Sequence, residues 1–188
     1  MEPIDTELFG TVHRAQKINS KVKGNRNELA VTKLLTEWTG HEFVRIPGSG
    51  NIRWQNRMDV CGDVINNDKE FDFPFSVETK HVKNLGLAAR MSPDLRKNSV
   101  VYTIFEQCKR DAEATNKIPF LIIRQNGMPK DCYYVFLYLH ITQTMKIVNY
   151  IEPKYWGELM GFNSIDFFKE VSFETLKWIY DRKSSSSK

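Results

Sequence analysis

The chain of 188 residues has no apolar run near the roughly 20 residues that span a bilayer. Its first residues, MEPIDTELFG, start acidic and contain no apolar segment of the kind that targets a protein for export. Both features predict a protein without a membrane anchor, working in the cytoplasm. Cysteine is scarce. Cys61, Cys108 and Cys132 are scattered, odd in number and without a CxxC pair, which excludes a disulfide framework and a zinc knuckle and fits a reducing compartment. The four histidines, His13, His41, His81 and His140, lack metal-ligand spacing. There is no internal repeat, and low complexity is confined to the closing SSSSK.

What is present describes one domain with a real core. The apolar fraction is 41% and the aromatic fraction 12%, too high for a disordered chain. Residues 1–20 read as an N-terminal arm, 21–183 as the folded domain and 184–188 as a flexible tail. The net charge is only +4, but it is unevenly spread. Residues 11–57 hold nine Lys/Arg and three Asp/Glu, residues 58–80 two and six, and residues 81–130 nine and four. An acidic stretch between two basic ones suits a metal-using enzyme on a polyanion, with carboxylates for the cation and Lys/Arg for phosphates. An ordinary mixed surface fits that distribution equally well.

Periodicity gives the elements. In NRNELAVTKLLTEW, Val31, Leu34, Leu35 and Trp38 form a helical stripe that begins near Asn25 and is closed by Thr39-Gly40. HEFVRI reads as a short strand, followed by a polar loop over 47–58. MDVCGDVI and FPFSVETK read as strands joined by INNDKE, 99–116 as a helix, and IPFLIIRQ and CYYVFLYLH as strands. FFKEVSFETLKWIY has helical spacing within a mixed C-terminal third. The order predicts an α/β or α+β sheet covered by helices.

The chemistry rests on strand alternation. In FPFSVETK, Phe73, Phe75, Val77 and Thr79 share one face, and Glu78 and Lys80 the other. In MDVCGDVI, Asp59, Cys61 and Asp63 share a face. Pairing the strands as a hairpin would put Asp63 beside Glu78, with Asp59 as a competing acid. Glu28 lies at the edge of the helical stripe, where it is either a third inward carboxylate or a first-turn acid favoured by the helix dipole. Carboxylates at this density suit Mg²⁺ or Mn²⁺. Lys80 could orient or deprotonate a water, or neutralise a phosphate. An isolated ExK triplet is a weak signal, equally compatible with a surface ion pair. Cys61 reads as a small core-edge residue, since no base accompanies it. Arg53, Trp54 and Arg57 form a basic-aromatic cluster that could hold phosphates or stack on a base, or be a solvated loop. Arg14, Lys17, Lys21 and Lys23 could clamp a backbone.

With KGNRNE (23–28), RIPGSGN (45–51), GDVI (62–65), FPFSVETK (73–80) and EQCKRDAEATNKIPFLII (106–123), the chain resembles the archaeal-type Holliday junction resolvases and their phage-encoded relatives in the PD-(D/E)xK nuclease superfamily. The likeness covers about residues 20–125. It departs at the proline of the signature, replaced here by Gly62 before Asp63. It implies a restriction-endonuclease-like mixed sheet flanked by helices, and a catalytic set of Glu28, Asp63, Glu78 and Lys80, with the three acids as metal ligands. It further implies that Arg45 and Ser49 approach the DNA backbone and that Gln107 lies near the active site. The expected protein is a metal-dependent endonuclease, in the cytoplasm of a prokaryotic or phage-infected cell, cutting branched DNA as a homodimer. A nuclease on linear, nicked or mismatched DNA, or a non-catalytic DNA-binding module, are the alternatives. The apolar CYYVFLYLH and the aromatic residues Tyr155, Trp156, Phe162, Phe167, Phe168 and Trp178 offer surface for such a dimer, or simply fill a core.

Overall fold

In the computed structural model, the described residues are 19–46, 62–68, 70–86, 99–142, 150–151 and 159–186. Among them, helix α1 (Ser20–Thr39) leads into strands β1 (Phe43–Arg45), β2 (Val64–Asn66) and β3 (Phe75–Val82). Helix α2 (Val100–Ala114) is followed by β4 (Ile118–Gln125), β5 (Tyr134–Tyr138) and the short α3 (Leu139–Thr142). The chain closes with β6 (Tyr150–Ile151), β7 (Leu159–Asn163), α4 (Ser164–Glu170) and α5 (Phe173–Ser186).

The strands form one mixed sheet of order β1-β2-β3-β4-β5-β7-β6. Only β3 and β4 run parallel, in register from Phe75↔Ile118 to Val82↔Gln125. A parallel pair needs a long crossover, which here contains α2. The central β4 is apolar on both faces because both are covered. Phe120 and Ile122 pack with Val31 and Leu35 of α1, whereas Leu121 and Ile123 pack with Val101, Phe105 and Cys108 of α2. The two helices therefore lie on opposite faces of the sheet.

Two devices set the ends of α1. The Asn19 side chain accepts the Lys21 N–H at 2.9 Å, and Gly40, at φ 75°, closes the last turn through its N–H to the Thr36 carbonyl. The glycine stop matches the sequence pattern, but the start does not: the helix begins at Ser20 rather than near Asn25. Asn19 can cap it there, a local hydrogen bond that a search for apolar periodicity does not register. Glu28 thus sits more than two turns inside, and it is not a first-turn acid.

The C-terminal third departs further from expectation. FFKEVSFETLKWIY is not one helix, because Val171 leaves helical geometry (φ −108°, ψ 109°) and separates α4 from α5. Its carbonyl accepts the Trp38 indole N–H at 2.8 Å, and Trp38 packs against Phe120, Phe167, Phe168 and Phe173. This aromatic seam docks both terminal helices on α1. Strands β6 and β7 were not expected, since LMGFN carries no alternation and a two-residue strand has no pattern. Helix α5 runs to Ser186, into the serine run expected as a tail.

Candidate active site

Strand β3 turns Phe75, Val77 and Thr79 toward α1, and Glu78 and Lys80 toward α2, as the alternation requires. Strand β2 meets it antiparallel at Val64↔Val77, so the expected hairpin forms. The pairing stops at Val64. One residue earlier the Asp63 N–H donates to the Val77 carbonyl at 2.9 Å, and the Asp63 carboxylate accepts the Thr79 N–H at 3.0 Å. The side chain completes the ladder where the strand ends, which holds it against β3. The backbone can come this close because residue 62 is glycine. Its φ is 102°, and a Cβ there would stand 2.5 Å from the Val77 oxygen. From the sequence Gly62 is only a residue of low bulk beside Asp63; the structure makes it a requirement of the backbone path.

Asp63 and Glu78 are both buried, with side chains 2% exposed. Lys80 reaches between them, its Nζ 2.5 Å from Glu78 Oε1 and 3.4 Å from Asp63 Oδ2. Gln107 of α2 donates its Nε2 hydrogen to the same Glu78 oxygen at 3.2 Å. Leu121 and Ile123 flank Glu78 and Lys80 on β4, so the pair of acids sits in an apolar wall. Burial, and then the charge of Asp63, push the Glu78 carboxyl up to about 7 against the opposing pull of Lys80. For Lys80, burial works to lower the ammonium, but the two carboxylates outweigh it and raise it. Lys80 is a cation here, suited to holding a phosphate oxygen or orienting a water rather than to accepting a proton.

A further acid stands near this centre, on a helix and outside the strand pattern that marks Asp63 and Glu78. Asp111, one turn beyond Gln107 on α2, is raised by burial and by Asp63 against the pull of Arg110, and it pushes the Glu78 carboxyl up further. Its spacing of i, i+4 from Gln107 was the available signal.

The remaining expected residues are distributed differently. Glu28 is engaged by Arg45, whose Nε donates to its carboxylate and whose Nη2 donates to Asn25 Oδ1 at 3.0 Å. Neither Glu28 nor Arg45 makes a hydrogen bond or ion pair to Asp63, Glu78 or Lys80 among the described residues, where no group of three or more His, Cys, Asp or Glu comes together to hold a metal ion. Ser49, Arg53, Arg57, Asp59 and Cys61 lie outside the described residues, as do Arg14 and Lys17. Among the described residues, Asp63 is the acid beside Glu78. His81 lines the face that carries α1, away from the carboxylates. His41 pairs with Asp68 at 3.0 Å and stacks on Phe71.

The donor set fits a hard divalent cation. Two buried carboxylates, with Asp111 nearby, face a single ammonium, and the Glu78 carboxyl is raised first by burial and then by the charge of Asp63. Oxygen ligands of this kind suit Mg²⁺ or Mn²⁺.

A mixed α/β sheet carrying an acid on one strand and an ExK on the next is the arrangement of the PD-(D/E)xK nucleases. Residues 19–175 match the model of the family described as phage putative PDDEXK endonuclease, and the chain belongs to that family. No curated protein and no solved structure matches the chain. Among the described residues, no helix is long and apolar enough to cross a membrane.

Proposed function

We propose that the chain is a Mg²⁺- or Mn²⁺-dependent endodeoxyribonuclease that hydrolyses phosphodiester bonds in branched DNA, working as a homodimer. The observation that carries this reading is the buried pair Asp63 and Glu78 with Lys80 between them. Two adjacent buried acids against the single ammonium of Lys80 leave one negative charge unbalanced, which a further cation would offset. Asp63 and Glu78 would hold that cation, and Glu28 would join them only on release from Arg45. Bound there, the ion supplies an acidified water and neutralises charge on the scissile phosphate. The protein groups do the rest. Asp63 is fixed by the Thr79 N–H, Gln107 holds Glu78 in place, and Lys80 presents an ammonium to the phosphate or to the attacking water. Arg45, Ser49, Arg53 and Arg57 are assigned to the DNA backbone.

The branched substrate and the dimer rest on the resemblance of residues 20–125 to junction resolvases and on symmetry. A four-way junction offers two equivalent strands, and a two-fold protein brings one site to each. The test is incubation with labelled four-way junction, linear duplex and single strand, with Mg²⁺ and with EDTA. Cleavage of the junction alone, lost in EDTA, is expected. Equal cleavage of duplex would make the protein a less selective nuclease. Binding without cleavage under every metal would make it a DNA-binding module.

A further inference from the structure

The strongest feature outside the carboxylate centre lies on the other face of the sheet. There the first half of α1 and the turn between β4 and β5 enclose a groove of about 640 Å³, within the range of roughly 300–1,000 Å³ usual for ligand sites. Lys23, Arg26, Arg124 and Lys130 line it, against the single carboxylate of Asp131. The positive field is felt by His81, also in the wall, which burial and then Lys23 and Arg124 lower to about 4. His81 is therefore a neutral ring at physiological pH.

A second observation says more about the occupant. Asn27, only 4% exposed, also lines this groove. Its Nδ2 donates to Thr79 Oγ1 at 2.6 Å, but its Oδ1 is buried without a hydrogen-bond partner, the one such side-chain atom among the described residues. An orphaned acceptor in a basic groove calls for a ligand that carries both negative charge and an N–H donor. A bare phosphodiester lacks the donor; a nucleotide has both. A second hollow, of about 430 Å³, continues along α1 past Leu29 and Leu34; it shares Arg26, Lys130 and Asp131 with the first and adds Lys33 and Glu37, so two cations and one carboxylate are common to both. Cations common to two adjoining hollows suit a phosphate between two successive nucleotides of a strand.

We propose that this groove is a second nucleic-acid site that takes an unpaired strand, with phosphates on Lys23, Arg26 and Lys130 and a base N–H on Asn27 Oδ1. It rests on the reading of the protein as one that acts on DNA. In a duplex the Watson–Crick N–H groups are paired and the bases are stacked inside the helix, so a groove that must receive a whole base selects single-stranded segments such as those at a branch point. Because His81 follows Lys80 on β3, the groove and the cutting centre lie back to back across one strand. A strand leaving one could be held by the other.

The test uses the full chain carrying Glu78→Gln, without divalent metal, and a fluorescent single-stranded hexadeoxynucleotide. Binding measured by anisotropy should weaken at least tenfold in the added double variant Arg26→Glu/Lys130→Glu. Both substituted residues are exposed, so the melting temperature should not move. The His81 ring resonances should shift on addition of the hexamer and not on addition of inorganic phosphate at equal ionic strength. A hexamer with abasic sugars should bind at least fivefold more weakly. If the abasic strand binds equally well, or charge reversal costs less than twofold, the groove is a diffuse phosphate patch and the proposal fails. In the protein with Glu78 intact, Arg26→Glu/Lys130→Glu should still cut with Mg²⁺. Groove binding in a protein that never cuts would overturn the nuclease reading and leave this one standing.

Discussion

At Glu78 the cost of the site is concentrated in one carboxyl. In the unfolded chain it ionises near its ordinary value of 4.5, and in the folded, metal-free protein at about 7. Between these values the native state binds more protons than the unfolded state, so folding stability falls as pH rises through that window. The loss levels off about a unit above pH 7 and is on the order of 3 kcal/mol. Replacement by Gln removes the titration. In EDTA, urea midpoints measured at pH 4.5 and 8 should therefore fall less with rising pH in Glu78→Gln than in the parent. Equal pH dependence in the two proteins would show that Glu78 is not the strained group. Asp63→Ala and Glu78→Ala should each lower cleavage by several orders of magnitude while DNA binding is kept or tightened, because a charge that repels phosphate is gone. Band-shift and cleavage assays on the same preparations separate the two effects. If Asp63→Ala cuts normally and Asp59→Ala is dead, the assignment of the acid passes to Asp59.

The element that places Asp63 is the start of β2, and its control point is Gly62. Any other residue there must adopt φ 102° with a Cβ 2.5 Å from the Val77 oxygen. Gly62→Ala should cost about 1–3 kcal/mol, as read from denaturant unfolding. It should also depress cleavage at permissive temperature, because relief of the contact moves Asp63 away from the Thr79 N–H. Unchanged stability would mean that β2 does not depend on this close approach. At the same scale, β3 and β4 were readable from the sequence because alternation and a continuous apolar run are strong local signals: Phe75–Val82 and Ile118–Gln125 stand close to the expected segments. The break at Val171 carries a weaker signal: Ser172 caps the new helix by accepting the Thr175 N–H at 3.2 Å, and the Val171 carbonyl is held by Trp38, 133 positions away in sequence.

For the whole molecule, the apolar surplus that suggested a dimer is largely accounted for inside one chain. Phe162 and Phe167 are in the core, Phe168 packs on Trp38, and β5 is covered by neighbours on both sides. Trp178 is exposed, and Tyr155 and Trp156 lie outside the described residues. The dimer therefore stands on the symmetry of its proposed substrate. Light scattering at micromolar concentration, with and without four-way junction, should give a mass of two chains at least in the presence of DNA. One chain in both conditions would remove the paired incision and favour a single-cut nuclease. The basic segments should also make binding fall steeply with salt, equally for unrelated sequences, since phosphate contacts carry no sequence information.

Local pattern by itself determined the strand that bears Glu78 and Lys80, the common face of those two residues, and the helix that carries Glu28, because side-chain direction follows from the period of the backbone. The short motifs of residues 23–123 pointed to the nuclease family for the same reason: each is a contiguous run. Tertiary structure alone decided what those residues meet. Lys80 lies between two buried acids, Gln107 and Asp111 arrive from the helix packed on that face, and Arg45 occupies Glu28. Burial and the approach of distant charges set the Glu78 proton affinity and leave Asn27 with an unpaired oxygen, and neither can be read from a residue's neighbours in the chain.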